Sequence, residues 1–229
     1  MGNSKTTVTR NEIPEKVRQI FIAASRTLAT LRTIRKEDDL LFRFKFSSMG
    51  TKWDDPEQPD DFGEQIQQSM TMLTTYYAID WFFGQLIPEN KPVFTINGGE
   101  KNGPDISFEN SHGIMMLCEV FAANDPYSNN KIFHDLKVIA RRTQSCENKE
   151  KIFSHIVFCS PIPLNEARRA CKKEGIVITD FRDKYVCTDI SYEFAGTPGH
   201  SARVIHVTPR ELQQWVEKMQ GYPFREKYR

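Results

Sequence analysis

The sequence predicts an α/β (α+β) protein in which a central mixed β-sheet is flanked by helices, as a single domain over 1–229. Three observations carry this. Short β-rich runs at 92–97, 105–109 and 114–123 are separated by Gly98-Gly99, by Gly103-Pro104 and by the residues from Asn110 to Gly113, and such clusters mark turns. Segments at 14–36, 62–87 and 130–143 repeat apolar residues at helical spacing. The run 151–160, Lys-Ile-Phe-Ser-His-Ile-Val-Phe-Cys-Ser, reads as a buried strand stopped by Pro161 and Pro163.

Taken in order, residues 1–12 are polar and expected to be disordered. Pro14 suits the first turn of a helix whose inward positions are Val17, Ile20, Phe21, Ala24, Leu28, Leu31 and Ile34. Arg18, Arg26, Arg32 and Arg35 fall mostly elsewhere on it, as a solvated basic face or as a surface for phosphate or dimer contact. Residues 40–46 suit a short strand or extended segment. The acidic, proline-bearing 52–61 reads as an exposed loop. Asp61 is placed to cap the 62–87 helix, with Pro88 beyond its end and Ile66, Met70, Leu73, Tyr77, Trp81 and Phe82 on the apolar side.

After the three central strands, 124–130 is a polar turn-rich loop. The basic helix 130–143 turns Ile132, Phe133, Leu136, Ile139 and Ala140 inward. A helix over 164–174 carries Arg168, Arg169, Lys172 and Lys173 and is closed by Gly175, with a strand over 176–180 following. Residues 185–207 are β-rich around a Gly-Thr-Pro-Gly-His-Ser loop. Thr208-Pro209 opens a last helix to about Gln220.

Composition narrows the function classes. Hydrophobic content of 39% and charged content of 27% are those of an ordinary globular protein. No apolar run reaches the roughly 18–20 residues of a membrane span, and no secretory leader is visible, so no membrane partner and a cytoplasmic setting are expected. The cysteines Cys118, Cys146, Cys159, Cys171 and Cys187 are widely spaced without a CxxC pair, which suits a reducing compartment. The scattered histidines lack zinc-ligand spacing. Met1-Gly2 with Thr6 matches the short N-myristoylation pattern, with no second anchoring signal beside it. There is no glycine-rich phosphate loop and no GxSxG elbow. A net charge of +1 argues against indiscriminate binding of nucleic acid, though not against a local basic face.

The chemistry-bearing residues sit on the central strands. Alternation puts Asp105, Ser107 and Glu109 on one face of the second strand, and Glu119 with Leu117 and Phe121 on one face of the third. Glu119 interrupts the apolar run Ile-Met-Met-Leu-Cys-Glu-Val-Phe-Ala-Ala, where a carboxylate needs a partner. That partner is either an Arg or Lys, or a divalent cation shared with Asp105, since Mg²⁺ takes oxygen ligands.

Pro104-Asp105, thirteen intervening residues and then Glu119, in the order helix, three strands, helix, strand, resembles the PD-(D/E)xK nuclease core of type II restriction endonucleases. The resemblance spans about 62–180. It implies a restriction-endonuclease-like core to which the 14–36 helix and the 185–220 segment are additions. It also implies that Asp105 and Glu119 bind Mg²⁺ (Mn²⁺ as an alternative). In some members the helix before the sheet adds an acidic ligand, for which Glu64 is the first candidate and Asp80 the second. The sequence departs from the pattern at the position two after the glutamate, where Phe121 replaces the lysine that orients the attacking water. Lys131, at the start of the next helix, is the substitute candidate, with Lys137 behind it.

The implied activity is hydrolysis of phosphodiester bonds in double-stranded DNA by a homodimer of the restriction type. Arg141, Arg142, Arg168, Arg169, Lys172, His200 and Arg203 are the candidates for DNA contact. The competing reading, favoured by Phe121, is a non-catalytic DNA- or protein-binding module on a decayed nuclease-like fold.

Overall fold

The computed structural model describes residues 4–33, 50–52, 59–85, 93–98, 104–109, 113–124, 131–145, 152–161, 187–192 and 200–221. The expected segments at 40–46, 164–174 and 176–180 lie outside the described residues, and so do Arg168, Arg169 and Lys172.

The chain enters through strand β1 (Ser4–Val8), a 3-10 turn (Arg10–Glu12) and helix α1 (Ile13–Leu31). The two-residue strands β2 (Gly50–Thr51) and β3 (Pro59–Asp60) pair as a separate ribbon. Helix α2 (Phe62–Gln85) leads to strands β4 (Phe94–Gly98), β5 (Ile106–Glu109) and β6 (Met115–Ala122). Helix α3 (Lys131–Ser145), strands β7 (Ile152–Cys159), β8 (Cys187–Tyr192) and β9 (His200–Val207), and helix α4 (Pro209–Gln220) complete the described elements. Among the described residues, seven strands form one mixed sheet in the order β1-β4-β5-β6-β7-β9-β8. β6 pairs with β7, and β7 with β9, in parallel; the other neighbours are antiparallel. A parallel pair cannot be closed by a tight turn, and α3 lies within the connection between β6 and β7. The fold is thus α+β, a mixed sheet with helices on both faces.

Strand β1 corrects the expectation of a disordered start. Its Thr6, Thr7 and Val8 pair with Ile96, Thr95 and Phe94 of β4. An edge strand is held by main-chain hydrogen bonds and needs few apolar side chains, and here Val8 is buried. Hydrophobic patterning alone therefore passes over it.

Alternation along the strands builds two cores. Ile106, Met116, Cys118, Val120, Val157, Cys159, Ile205 and Val207 face one way, toward Val17 and Ile20 of α1, Ile79 and Phe82 of α2, and Leu212 and Val216 of α4. Phe82 stacks on Phe94 at 6.2 Å between centroids and meets His155 edge-on at 4.8 Å. The opposite face carries Leu117, Glu119, Phe121, Ile156 and Phe158, all buried, and there α3 brings Leu136 and Ile139.

The apolar side expected for α2 needs correcting. Ile66 is 49% exposed and Tyr77 and Trp81 are only half-buried, whereas Tyr76, Ile79, Thr74 and Thr75 are buried. The helix is covered from more than one side, so its buried arc extends past a single stripe. The two threonines donate their hydroxyls to the carbonyls of Met70 and Thr71, which lets polar residues occupy that arc. The caps follow the sequence signals. Asp61 Oδ1 accepts from Glu64 N at 3.0 Å at the start of α2. Thr208 and Glu211 form a reciprocal capping box on α4, which ends on Gly221 at φ 66°. Among the described residues, no helix is long and apolar enough to cross a membrane.

Candidate functional site

Asp105 occupies the bend just before β5. Its carbonyl accepts the Asn97 amide at 2.9 Å, and Asn97 Nδ2 donates to Pro104 O at 2.6 Å, so β4 fixes the approach to the bend. Ile106 pairs with Cys118 and Ser107 with Leu117. One step further along this register, Asp105 stands across from Glu119. Its Oδ2 accepts the Val120 amide at 2.8 Å, which turns the carboxylate toward β6. Two acidic residues fourteen positions apart are therefore neighbours because of the β5–β6 turn and register.

Helix α3 adds the third side. Lys131, its first residue, donates from Nζ to Asp135 Oδ1 at 2.6 Å. The same nitrogen lies 5.7 Å from the centroid of the Phe121 ring. Phe121 in turn stacks on Phe158 at 5.3 Å and 9°. The charges of Asp105, Glu119, Asp135 and Lys131 all act on one another. The cluster lies toward the C-terminal ends of the parallel strands β6 and β7, where α/β sheets commonly hold ligands.

Burial dominates the electrostatics. Glu119 is 4% exposed, and burial followed by the Asp105 and Asp135 carboxylates pushes its carboxyl up to about 10. Burial also raises Asp105, opposed by the Val120 amide and by Lys131. The two carboxyls act on each other, and the neighbouring Asp105 carboxylate adds to the rise at Glu119. Burial pushes Asp135 up to about 6 against the pull of Lys131. Burial works against the Lys131 charge, but Asp135 outweighs it and the ammonium is held above its ordinary range. Glu119 Oε1 and Asp135 Oδ2 are buried and accept no hydrogen bond among the described residues. Such orphaned acceptors carry a desolvation cost that a cation relieves.

The other sequence candidates are placed as follows. Glu64 is exposed in the first turn of α2, where its Oε1 accepts from Gln68 Nε2 at 2.7 Å. It is not among the charges that shape Asp105 or Glu119. Asp80 serves the opposite layer, with Oδ1 3.1 Å from Arg10 Nε and Oδ2 accepting from Trp215 Nε1 at 3.0 Å. It ties α2 to α4. Lys137 belongs to α3, but its side chain lies outside the described residues. Arg141 is exposed and Arg142 half-buried on the same helix. His200 and Arg203 belong to β9, Arg203 pairing in register with His155 and Asp189, and their side chains lie outside the described residues.

Asp135 was missed at the sequence level. The signal was present: it is one turn after Lys131 and adjoins the inward positions Leu136 and Ile139 of α3, an acid on the apolar side of a helix.

Comparisons of the chain with protein-family models, with curated proteins and with solved structures return no match. The chemistry of the site is therefore read from its own residues.

Among the described residues, no group of three His, Cys, Asp or Glu is set to hold a metal ion by itself. The donor set nevertheless has hard-cation chemistry: two facing carboxyls and an orphaned buried oxygen. Mg²⁺ is commonly bound by one or two carboxylates, with water and substrate phosphate filling the other positions.

Proposed function

We propose that Asp105, Glu119 and Lys131 form the centre of a Mg²⁺-dependent deoxyribonuclease of the restriction-endonuclease type, hydrolysing phosphodiester bonds of double-stranded DNA. The observation that carries the reading is the Lys131 ammonium, within electrostatic reach of the Asp105–Glu119 pair and over the ring of the residue that stands where a strand lysine is missing. Asp105 and Glu119 would hold Mg²⁺, with Mn²⁺ as the alternative. A divalent ion there supplies charge neutralisation at the phosphate and a more acidic bound water.

The chain's own residues do the rest. The Val120 amide orients the Asp105 carboxylate. Glu119 would hold a cation only as the carboxylate, its proton passing to solvent. The Lys131 ammonium presents a positive charge for a phosphate oxygen. Phe121 and Phe158, both buried, keep the floor of the site dry, which strengthens every charge interaction above them.

In this reading the sheet and its helices form a restriction-endonuclease-like core, acting as a homodimer on a two-fold symmetric site. Arg141, with Arg142, His200 and Arg203, contacts the DNA backbone. Glu64 is the weakest of the ligand assignments, because Gln68 already occupies its carboxylate.

The test is incubation of the purified protein with plasmid or phage DNA and Mg²⁺. Discrete fragments, lost in EDTA, support the reading. Retained DNA binding with no cleavage under any divalent ion points instead to a non-catalytic DNA-binding module, which the apolar Phe121 favours.

A further inference from the structure

We infer that Asp135 is the positioning residue of this site, holding the Lys131 ammonium over the Phe121 ring and beside Asp105 and Glu119. The inference rests on the proposed DNA-cleaving centre and adds to it a residue with no counterpart among the strand positions.

The Lys131–Asp135 pair is ill suited to stabilising a helix. A lysine in the first turn faces the positive end of the helix dipole. Lysine preceding the acid at i,i+4 is the weaker of the two orientations. The two partners are also unequally exposed, the Lys131 side chain at 43% and that of Asp135 at 3%. A surface ion pair leaves both groups in water and contributes little. Here the acid has been taken into the protein, at a cost that an apolar residue in its place avoids. What the pair does achieve is geometric. The flexible lysine stem has many rotamers, and the 2.6 Å bond to a buried, immobile acceptor selects one of them.

Phe121 is the other half of the seat. Its stack on Phe158 fixes the plane of the ring, and the ring face attracts the ammonium 5.7 Å from its centroid. Position 121 itself is packed as an apolar site, with Phe121 4% exposed. Thus the strand supplies the platform and the helix supplies the amine. Asp135 uses only Oδ1 for Lys131, and its Oδ2 stays buried without a partner among the described residues.

Two measurements test this, one independent of cleavage. The first is the rate at which an amine-acylating reagent modifies Lys131 in the folded protein, read by mass spectrometry. Asp135→Asn should speed modification by about tenfold for each pKa unit the amine loses, Asp135→Glu should restore slow modification, and Phe121→Leu should give a smaller increase. The second is cleavage by Asp135→Asn, Lys131→Met and the double variant, with DNA binding measured in Ca²⁺. Both single variants should lose about 10²-fold in turnover, the double variant no more than either, with DNA affinity and melting temperature near wild type.

Unchanged Lys131 reactivity in Asp135→Asn overturns the inference. So does an Asp105→Asn variant that is dead while Lys131→Met and Asp135→Asn cut normally, since the centre then works without the amine. If the wild type cuts no DNA, the nuclease reading fails by itself, and the acylation rates alone decide whether Asp135 holds the amine.

Discussion

Lys131 Nζ lies 5.7 Å from the centroid of Phe121, whose backbone is two residues beyond Glu119 on β6. A helix residue thereby places a positive charge where the strand itself carries an aromatic ring. The consequences of this arrangement, and of the buried carboxyls beside it, are measurable.

Stability should depend on pH in a definite direction. Glu119 is raised from 4.5 to about 10 in the folded chain. A raised carboxyl binds its proton more tightly when folded, so its contribution is fully present below pH 4.5 and is lost as pH rises through 10. Asp135 acts in the same sense from 3.8 to about 6. The metal-free protein should therefore melt lower as pH rises across this window, and Glu119→Gln should flatten the trend. A melting temperature that climbs steadily toward pH 9 in EDTA contradicts this.

Mg²⁺ should reverse part of that loss. A ligand bound only by the folded state stabilises by mass action, so millimolar Mg²⁺ is expected to raise the melting point at pH 8 and much less at pH 5. Glu119→Gln and Asp105→Asn should each weaken the effect. Equal shifts in wild type and both variants would locate the cation elsewhere.

Arg141 and Arg142 follow Lys131 on the same helix. Replacing both with Ala should weaken DNA binding and lower the salt slope by about 0.9 for each phosphate no longer neutralised. A slope identical to wild type moves the DNA surface off α3.

The core makes a simpler prediction. Phe82 is fully buried against Phe94 and His155. Truncation to Ala removes a large side chain from a packed layer and should cost about 3–5 kcal/mol in denaturant unfolding. A loss below about 1 kcal/mol would mean that the layer between α2 and the sheet is not packed as described.

Much of this fold was legible in the sequence because glycine and proline punctuate the strands and the helices carry their caps. Asp61, Thr208 and Gly221 mark helix ends in sequence and in space. The facing of Asp105 and Glu119 was legible too, since a short hairpin loop fixes register and register fixes which side chains share a face. β1 was not, because its pairing is made by main chain. The buried arc of α2 was misjudged because burial there depends on neighbours that the helix sequence does not name. Asp135 escaped for a related reason. An acid on a helix reads as solvated until the approach of β6 shows that water is excluded around it.

DNA cleavage by the Asp105–Glu119 pair, completed by Lys131 and a divalent ion, is the proposal on which the rest depends. Cleavage of plasmid DNA in Mg²⁺ by wild type and Asp105→Asn, side by side and with the fold of each checked by its melting curve, tests it most directly. Discrete fragments from wild type, abolished in EDTA and reduced at least 10²-fold in a folded Asp105→Asn, are the predicted result. Wild-type rates in that variant, or no cleavage by either protein, would contradict the account.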